Sequence, residues 1–403
     1  MSESSAQLPR GSFSSRRKVL MGGLAGAAVI GSSAWHQAIL NDTFEADWAK
    51  LRRARGALPV IPVFDARDVG PVGHATARRA QVEALRLACI GPLTPLLNGM
   101  AYCLDELAGR WINACHSPYA DELRQIAAKF DAPGVYLINS SYEWGCTALA
   151  APAEKGDSAV LLRTLDWPFN GLGKYAELVI QKGVAGAFYN VTWPGAVGVL
   201  TAMAPGRFAA SINQAPVKRQ FKADSLAFLD SPLNISDTYF NITDPPAMHV
   251  LRRVFEEAKN FTQARQMLET LPIANPAIFT LVGTAPGETC VIERDRQLFK
   301  TKMGVASAAN DWRYSSFPGT WLALGADKRD PRGDNPERSA FIESFAGQPL
   351  GNFNWVKAPI LNGYTRLAVE ANPKLGHIRV RGYEENTDND SASPVTAILD
   401  FQT

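Results

Sequence analysis

The chain has 403 residues, 46% of them hydrophobic, with 41 Lys plus Arg against 39 Asp plus Glu and a formal net charge of +2. That is enough apolar material for a sizeable core. The near-neutral balance, with no basic stripe interleaved with aromatics, argues against a nucleic-acid partner. The cysteines (89, 103, 115, 146 and 290) show no metal-ligand or CxxC spacing, so no metal or other cofactor is expected.

Residues 1–34 read as an export segment. Arg16-Arg17 precedes a short, Gly/Ala-rich apolar stretch from Met21 to Ile30, the pattern of a bacterial twin-arginine signal. Ser32-Ser33-Ala34 offers small residues for cleavage after Ala34. The stretch is too short and glycine-rich for a confident membrane span, although a tether to the inner membrane stays open. The expected destination is the periplasm or the cell exterior.

Residues 35–145 form a mostly helical region. Val60 to Phe64 reads as a strand that Pro62 directs to a sheet edge. Helical periodicity runs from Thr76 to Cys115 with a break at Gly91-Pro92. Ser117 is the expected N-cap of a helix from Pro118 to Phe130. Cys89, Cys103 and Cys115 lie in helix-like apolar contexts and read as small buried hydrophobes, as does Cys290 in a strand-like one.

Residues 146–403 are strand-rich. Strands are expected at Thr147–Ala151, Ala159–Leu165, Ala176–Gln181, Ala187–Trp193, Val197–Ala202 and Phe208–Asn213, with short turns that suit antiparallel neighbours. Residues 221–246 read as a polar connection, followed by one helix from Pro246 to about Leu271. A hairpin joins Ala277–Gly283 to Thr289–Arg294, and Val305 to Asn310 is a further small-residue run. A helix over Pro336–Phe345 and strands at Tyr364–Glu370 and His377–Tyr383 close the chain. Strands gathered in one region, with helices before and between them, predict an α+β fold. Two antiparallel sheets flanked by helices, a four-layer α-β-β-α sandwich, would bury this many apolar strands.

The chemistry centres on Gly145-Cys146. A small residue precedes the cysteine, and the next strand ends with Arg163 and Asp166. A thiol with pKa ~8.5 and an α-amine near ~8 form a self-contained nucleophile and base once the chain is cut between Gly145 and Cys146. None of the histidines (36, 74, 116, 249, 377) sits in a recognisable partner motif, consistent with that economy. Arg163 would lower the thiol pKa, and Asp166 would balance the new ammonium and relay a proton during cleavage. Positions 163 and 166 fall on opposite faces of a regular strand, so Asp166 must lie where the strand ends or bulges; Trp167-Pro168 supplies that stop. Asn213 and Asn310 close small-residue runs and are candidate oxyanion donors. Trp144, Trp167 and Phe169 flank the cysteine and aspartate and suit an apolar acyl group. Singly, Cys146 reads as a buried hydrophobe, the asparagines as turn residues, Arg338 as a surface helix residue and the aromatics as core. The combination carries the argument.

From about residue 58 to 384 the chain resembles the acid ceramidases and N-acylethanolamine-hydrolysing acid amidases, cysteine N-terminal-nucleophile hydrolases of the choloylglycine hydrolase superfamily. The matching stretches are Glu122 to Ala128, Ser141 to Thr147, Pro276 to Phe279, Cys290 to Arg296 and Ala358 to Asn362. The resemblance implies the four-layer fold and self-cleavage into an α-chain ending at Gly145 and a β-chain starting at Cys146. By the same resemblance Cys146 is the nucleophile, supported by Arg163 and Asp166. Asn213 and Asn310 then serve as oxyanion donors, and Arg338 organises the site. The implied reaction is hydrolysis of an N-acyl amide, with a small-molecule or lipid-like substrate and room for transient membrane contact. Acyl transfer to an amine, or ligand binding on an inactive scaffold, are the alternatives. Gln214 departs from the glutamate that acid ceramidase carries after its equivalent asparagine, which bears on pH optimum and amine-side specificity.

Overall fold

The computed structural model describes residues 57–90, 95–130, 133–140, 145–167, 170–220, 230–323, 334–386 and 391–403. The export segment, Trp144 and Phe169 lie outside these residues. Two large sheets face each other. The first has eight strands in the order β1-β4-β5-β6-β7-β9-β10-β11: Val63–Asp65, Glu177–Gly183, Gly186–Thr192, Thr201–Ala204, Phe208–Gln214, Ala277–Val282, Thr289–Arg294 and Phe299–Met303. The second runs β12-β2-β3-β14-β15-β16: Ala306–Ala308, Gly145–Pro152, Ala159–Asp166, Thr365–Asn372, His377–Asn386 and Ser391–Pro394, with β17 (Leu399–Gln402) also on β15, and β8 (Val217–Lys218) pairs with β13 (Trp321–Leu322) apart from both. Pairing is antiparallel except at the edge, where β1 lies parallel to β4. Pro62 precedes that edge strand, as its missing N–H requires.

Alternation along the strands separates the layers. Leu161 and Leu165 of β3 meet Tyr189, Met203 and Val282 of the opposite sheet in a dry inter-sheet core that includes Cys146. On the far side of the first sheet, Phe188, Phe208 and Phe279 pack beneath helices Ala247–Glu257 (α7) and Phe261–Thr270 (α8). On the far side of the second, Leu149, Leu162 and Ala368 pack against Ile342 of a short helix, Asn335–Glu343 (α9), and against Trp355 and Ile360. The α+β four-layer arrangement is therefore present, its fourth layer being one short helix plus irregular chain.

The N-terminal helices are Gly70–Ala77 (α1), Arg79–Ile90 (α2), Pro95–Ala114 (α3), Ala120–Ala127 (α4) and Val135–Ser140 (α5). They build a separate cluster around Trp111, Ile112 and Leu123 against Val197 and Ala274. Ser117 does not cap a helix at residue 118; α4 starts at Ala120, and the Ser117 hydroxyl is 2.8 Å from His249 Nδ1. A sixth helix, Asp230–Asn241 (α6), occupies part of the expected polar connection. The single helix expected over 246–271 is two: Ala258 turns extended, and Asn260 caps α8 by accepting from the Gln263 backbone N–H (3.0 Å). Residues 197–200 are not strand, since β6 begins at Thr201. Cys103 is exposed on α3 rather than buried, whereas Cys115 and Cys290 are buried.

A polar network fastens α4 to α7. Arg252 donates to Glu122 Oε1 (3.0 Å) and Glu256 Oε1 (2.9 Å) and lies 3.9 Å over the Tyr119 ring, whose hydroxyl donates to Glu256 (2.6 Å). His249 sits fully buried beside it, and burial, with Arg252 nearby, pulls its pKa down to about 3. The folded state thus binds fewer protons on His249 than the unfolded chain between about pH 6.5 and 3, so its contribution to stability is lost as pH falls through that window. Replacing His249 by Gln should flatten the pH dependence of unfolding free energy there, by up to about 1.4 kcal/mol per pH unit. Denaturant midpoints measured from pH 7 to 4 would check this; parallel curves for the two proteins would refute it.

Candidate active site

Cys146 is the second residue of β2, paired with Leu165 of β3, while Gly145 faces Asp166 and Ala148 faces Arg163. Residues opposite each other across a ladder share a face, so Arg163 lies on the same face as Cys146, two positions along. Its Nη2 donates to Sγ at 3.0 Å and to the Ile212 carbonyl at 3.3 Å. Ile212 belongs to β7, so the thiol is held where the two sheets meet. Burial pushes the Cys146 thiol pKa up, and the Arg163 charge opposes that shift.

Asp166 ends β3 on the opposite face from Arg163, as the three-residue spacing requires. The neighbouring ladder slips there: β14 changes register between Thr365 and Leu367. Asp166 therefore lies beside the residue before the cysteine. A Cβ at position 145 would sit 3.1 Å from the Asp166 Cβ, which gives the glycine a structural reason. The Asp166 Oδ2 accepts from Asn362 (3.2 Å) and is 3.8 Å from Arg338, while Oδ1 is buried without a hydrogen-bond partner. Burial pushes this carboxyl pKa up, against the attraction of Arg338.

In the unbroken chain the Cys146 nitrogen is an amide N–H, and it donates to Asn310 Oδ1 at 2.8 Å. Asn310 lies two residues past β12, with its own Nδ2 donating to the Gln214 carbonyl (2.9 Å). Arg338 projects from α9, fully buried. It donates to the Cys146 carbonyl (2.8 Å), Thr147 Oγ1 (2.9 Å) and Asn335 Oδ1 (2.7 Å), and through Nε to Asp334 (2.9 Å). It is not the surface helix residue that its position alone suggests. Asn213 points its Nδ2 at the carbonyls of Ala308 (3.2 Å) and Ala309 (3.1 Å), leaving Oδ1 buried and unpartnered. Its amide hydrogens are thus committed to backbone, and the group it offers is an acceptor rather than an oxyanion donor.

Cys146, Arg163, Asp166, Asn310 and Arg338 accordingly form one connected cluster, and Asn213 borders it next to Ile212. Trp167 is half-buried against the inter-sheet core. Three contributors carried no assigned role in the sequence. Asn335 accepts from both Arg338 and the Asn310 backbone N–H (2.8 Å). Thr147 holds Arg338, and Asn362 holds Asp166. Asn335-Pro336 three residues before Arg338 was the available signal for the first of these. Among the described residues, no cluster of His, Cys, Asp or Glu is arranged to hold a metal ion, and no helix is long and apolar enough to cross a membrane.

Over 215 residues the chain is 28% identical to a probable acid ceramidase of Caenorhabditis elegans, covering 49% of this chain and 52% of that protein. Over 228 residues it is 26% identical to an N-acylethanolamine-hydrolysing acid amidase of Mus musculus, covering 55% and 57%. Over about half of its length the chain is similar to acid ceramidases and acid amidases. It spans about half the length of the curated relatives it matches. Among solved structures, it is similar to a C. elegans ortholog of the N-acylethanolamine-hydrolysing acid amidase. There the TM-score is 0.43 at 18% identity, over 57% of this chain and 94% of that relative. A conjugated bile acid hydrolase of Clostridium perfringens aligns with a TM-score of 0.34 at 9% identity, over 64% of this chain and 97% of its own. No protein-family profile matches the chain.

Proposed function

We propose that this protein is an amidase activated by its own cleavage, hydrolysing the C–N bond of an N-acyl amide through a thioester on Cys146. One observation carries the reading: a buried thiol with Arg163 Nη2 at 3.0 Å, whose own backbone nitrogen is held by Asn310 at 2.8 Å. That geometry serves a nucleophile whose base is its own nitrogen, and it occurs in a relative of proteins named as amidases and ceramidases.

In the first stage Sγ attacks the Gly145 carbonyl carbon and the bond to the Cys146 nitrogen breaks. That nitrogen leaves with a proton, for which Asp166 is suited: it lies beside Gly145 and its carboxyl is held above its usual range. Water then opens the Gly145–Sγ thioester, giving a carboxylate at Gly145 and a free α-amine at Cys146. In the second stage the amine takes the thiol proton, and the thiolate attacks the substrate carbonyl beside the Arg163 cation. The substrate's amine departs with a proton, and water releases the acid. The N-terminal piece would stay attached through the edge pairing of β1 and the Arg252–Glu122 contacts.

The substrate reading is an N-acyl amide with an apolar, lipid-like acyl group. Export through the twin-arginine route to the periplasm is part of the same proposal. Sequencing the N-termini of the purified mature protein tests both: one terminus at Cys146, and one just past Ala34. A panel of amides of graded acyl length should then show turnover rising with chain length. A mature protein with no terminus at Cys146 would overturn the proposal.

A further inference from the structure

Glu293 has no part in the chemistry above, yet it is a carboxylate buried to 1% exposure. It lies near the end of β10. Alternation along that strand sends Cys290 and Ile292 beneath α8 and turns Val291 and Glu293 to the other face. There Val291 packs with Ala306 and Ala308 of β12 and with Trp312 and Tyr314. Glu293 spends its oxygens on the same segment. Its Oε1 accepts the backbone N–H groups of Arg313 (2.6 Å) and Tyr314 (3.0 Å), and its Oε2 lies 3.1 Å from the second. Burial pushes its pKa up, and hydrogen bonds from this segment oppose the shift.

That segment continues from Asn310. β12 ends at Ala308, Asn310 stands two residues on, and the chain then doubles back onto the strand it left. Tyr314 Oη accepts the Ser307 N–H and donates to the Ser307 carbonyl, both at 3.2 Å. Arg313 Nη2 crosses to Glu343 of α9 (2.9 Å). Asn310 is therefore at the bend of a loop. The outgoing limb is β12, paired with the nucleophile's strand β2, and the return limb hangs on Glu293. A carboxylate is expensive to bury, and backbone N–H groups turned away from water need an acceptor. Each meets the other's need in this one loop conformation.

We infer that Glu293 is a positioning residue: by holding the Arg313 and Tyr314 backbone it fixes the Asn310 amide against the Cys146 nitrogen. The inference rests on the amidase reading, in which that nitrogen serves the thiol as its base. Asn310 makes bonds of 2.8 Å and 2.9 Å to the Cys146 N–H and the Gln214 carbonyl, so a return limb set loose disturbs both. An amine without a fixed acceptor presents its lone pair to the thiol less often, and the loss falls on kcat rather than KM.

A double-mutant cycle on the cleaved protein tests this, read as turnover per cleaved molecule of the best amide in the graded-length panel. Glu293→Ala should lower kcat by about tenfold with KM within about twofold. Glu293→Gln, which keeps an acceptor in the place of Oε1, should return to within about threefold of wild type. In an Asn310→Ala background, Glu293→Ala should cost less than about a further twofold, because the group it positions is gone. A tenfold loss repeated in that background overturns the inference and makes Glu293 a brace for the fold at large, and an unchanged kcat in Glu293→Ala alone overturns it too. Glu293→Ser carries the same cycle should the alanine variant not fold; a chain that folds with neither puts Glu293 in the fold rather than behind Asn310, which is equally fatal. Asn310→Ala with wild-type turnover removes the inference and leaves the amidase reading standing. Wild-type protein that is cut and folded yet turns over no amide overturns that reading instead.

Discussion

Cys146→Ala should yield one uncut chain with turnover reduced by at least about 10⁴-fold, whereas Cys290→Ala should be cut and active. Both thiols are fully buried in strands, and burial raises both, Cys290 to about 12. Position separates them. Cys290 packs under α8 with Ile292 and Leu281, among apolar side chains. Cys146 has a guanidinium nitrogen 3.0 Å from its sulfur and an asparagine oxygen on its nitrogen. The first supports a thiolate and the second orients the amine that makes one. Cys146→Ser keeps the attacking atom's place with a weaker nucleophile, so slow scission with little turnover is expected. Denaturing gels with intact mass follow the cut, and amide turnover follows the chemistry. Scission at the same bond in Cys146→Ala would remove the self-cleavage reading.

How much of this was legible in the sequence depended on whether the signal was local. The short apolar runs 159–165 and 208–213 gave β3 and β7 nearly to their ends, because strands buried on both faces read as near-continuous runs of small and apolar residues. The opposite orientations of Arg163 and Asp166 followed from the period of two along a strand. Arg338 did not follow. On α9 it reads as an ordinary helix cation, and its partners come from a strand some 190 residues earlier, β2, which supplies the Cys146 carbonyl and Thr147 hydroxyl. The resemblance supplied that residue; the residue pattern did not. Ser117 shows the converse failure. Its serine-proline start is a fair cap signal, and the hydroxyl does accept the Tyr119 N–H (3.2 Å), but it also contacts His249, 132 residues away, and the regular helix begins only at Ala120. The split between α7 and α8 was missed because apolar spacing continues through the break, while Ala258 carries no breaker signal and the cap at Asn260 is polar and brief. Asn213 lies near the end of β7 as the strand pattern expected, yet which end of its amide is engaged depends on the Ala308 and Ala309 carbonyls, a tertiary detail.

Asn310→Ala should slow both self-cleavage and turnover by about 10²–10³-fold, with a smaller change in KM. Asn310 joins the two sheets at the site: Oδ1 takes the Cys146 N–H from one, and Nδ2 donates to the Gln214 carbonyl of the other. After scission the same nitrogen is an amine that must aim its lone pair at the thiol proton. An acceptor holding one of its hydrogens fixes that direction, and without it the amine rotates among orientations of which few are productive. The alanine variant also strips a partner from Arg338, whose Nη2 lies 3.3 Å from Oδ1. A purely structural loss would therefore be an alternative reading of lower activity, and Asn310→Asp separates the two. Aspartate keeps the acceptor beside the Cys146 nitrogen and Arg338 while setting an oxygen against the Gln214 carbonyl, so the fold is penalised but the orientation is retained. If orientation matters, the cleaved aspartate variant turns over amide faster than the cleaved alanine one despite a thermal midpoint no higher. If turnover per cleaved molecule instead tracks thermal stability across the variants, Asn310 is a brace between sheets and the amine is positioned by something else.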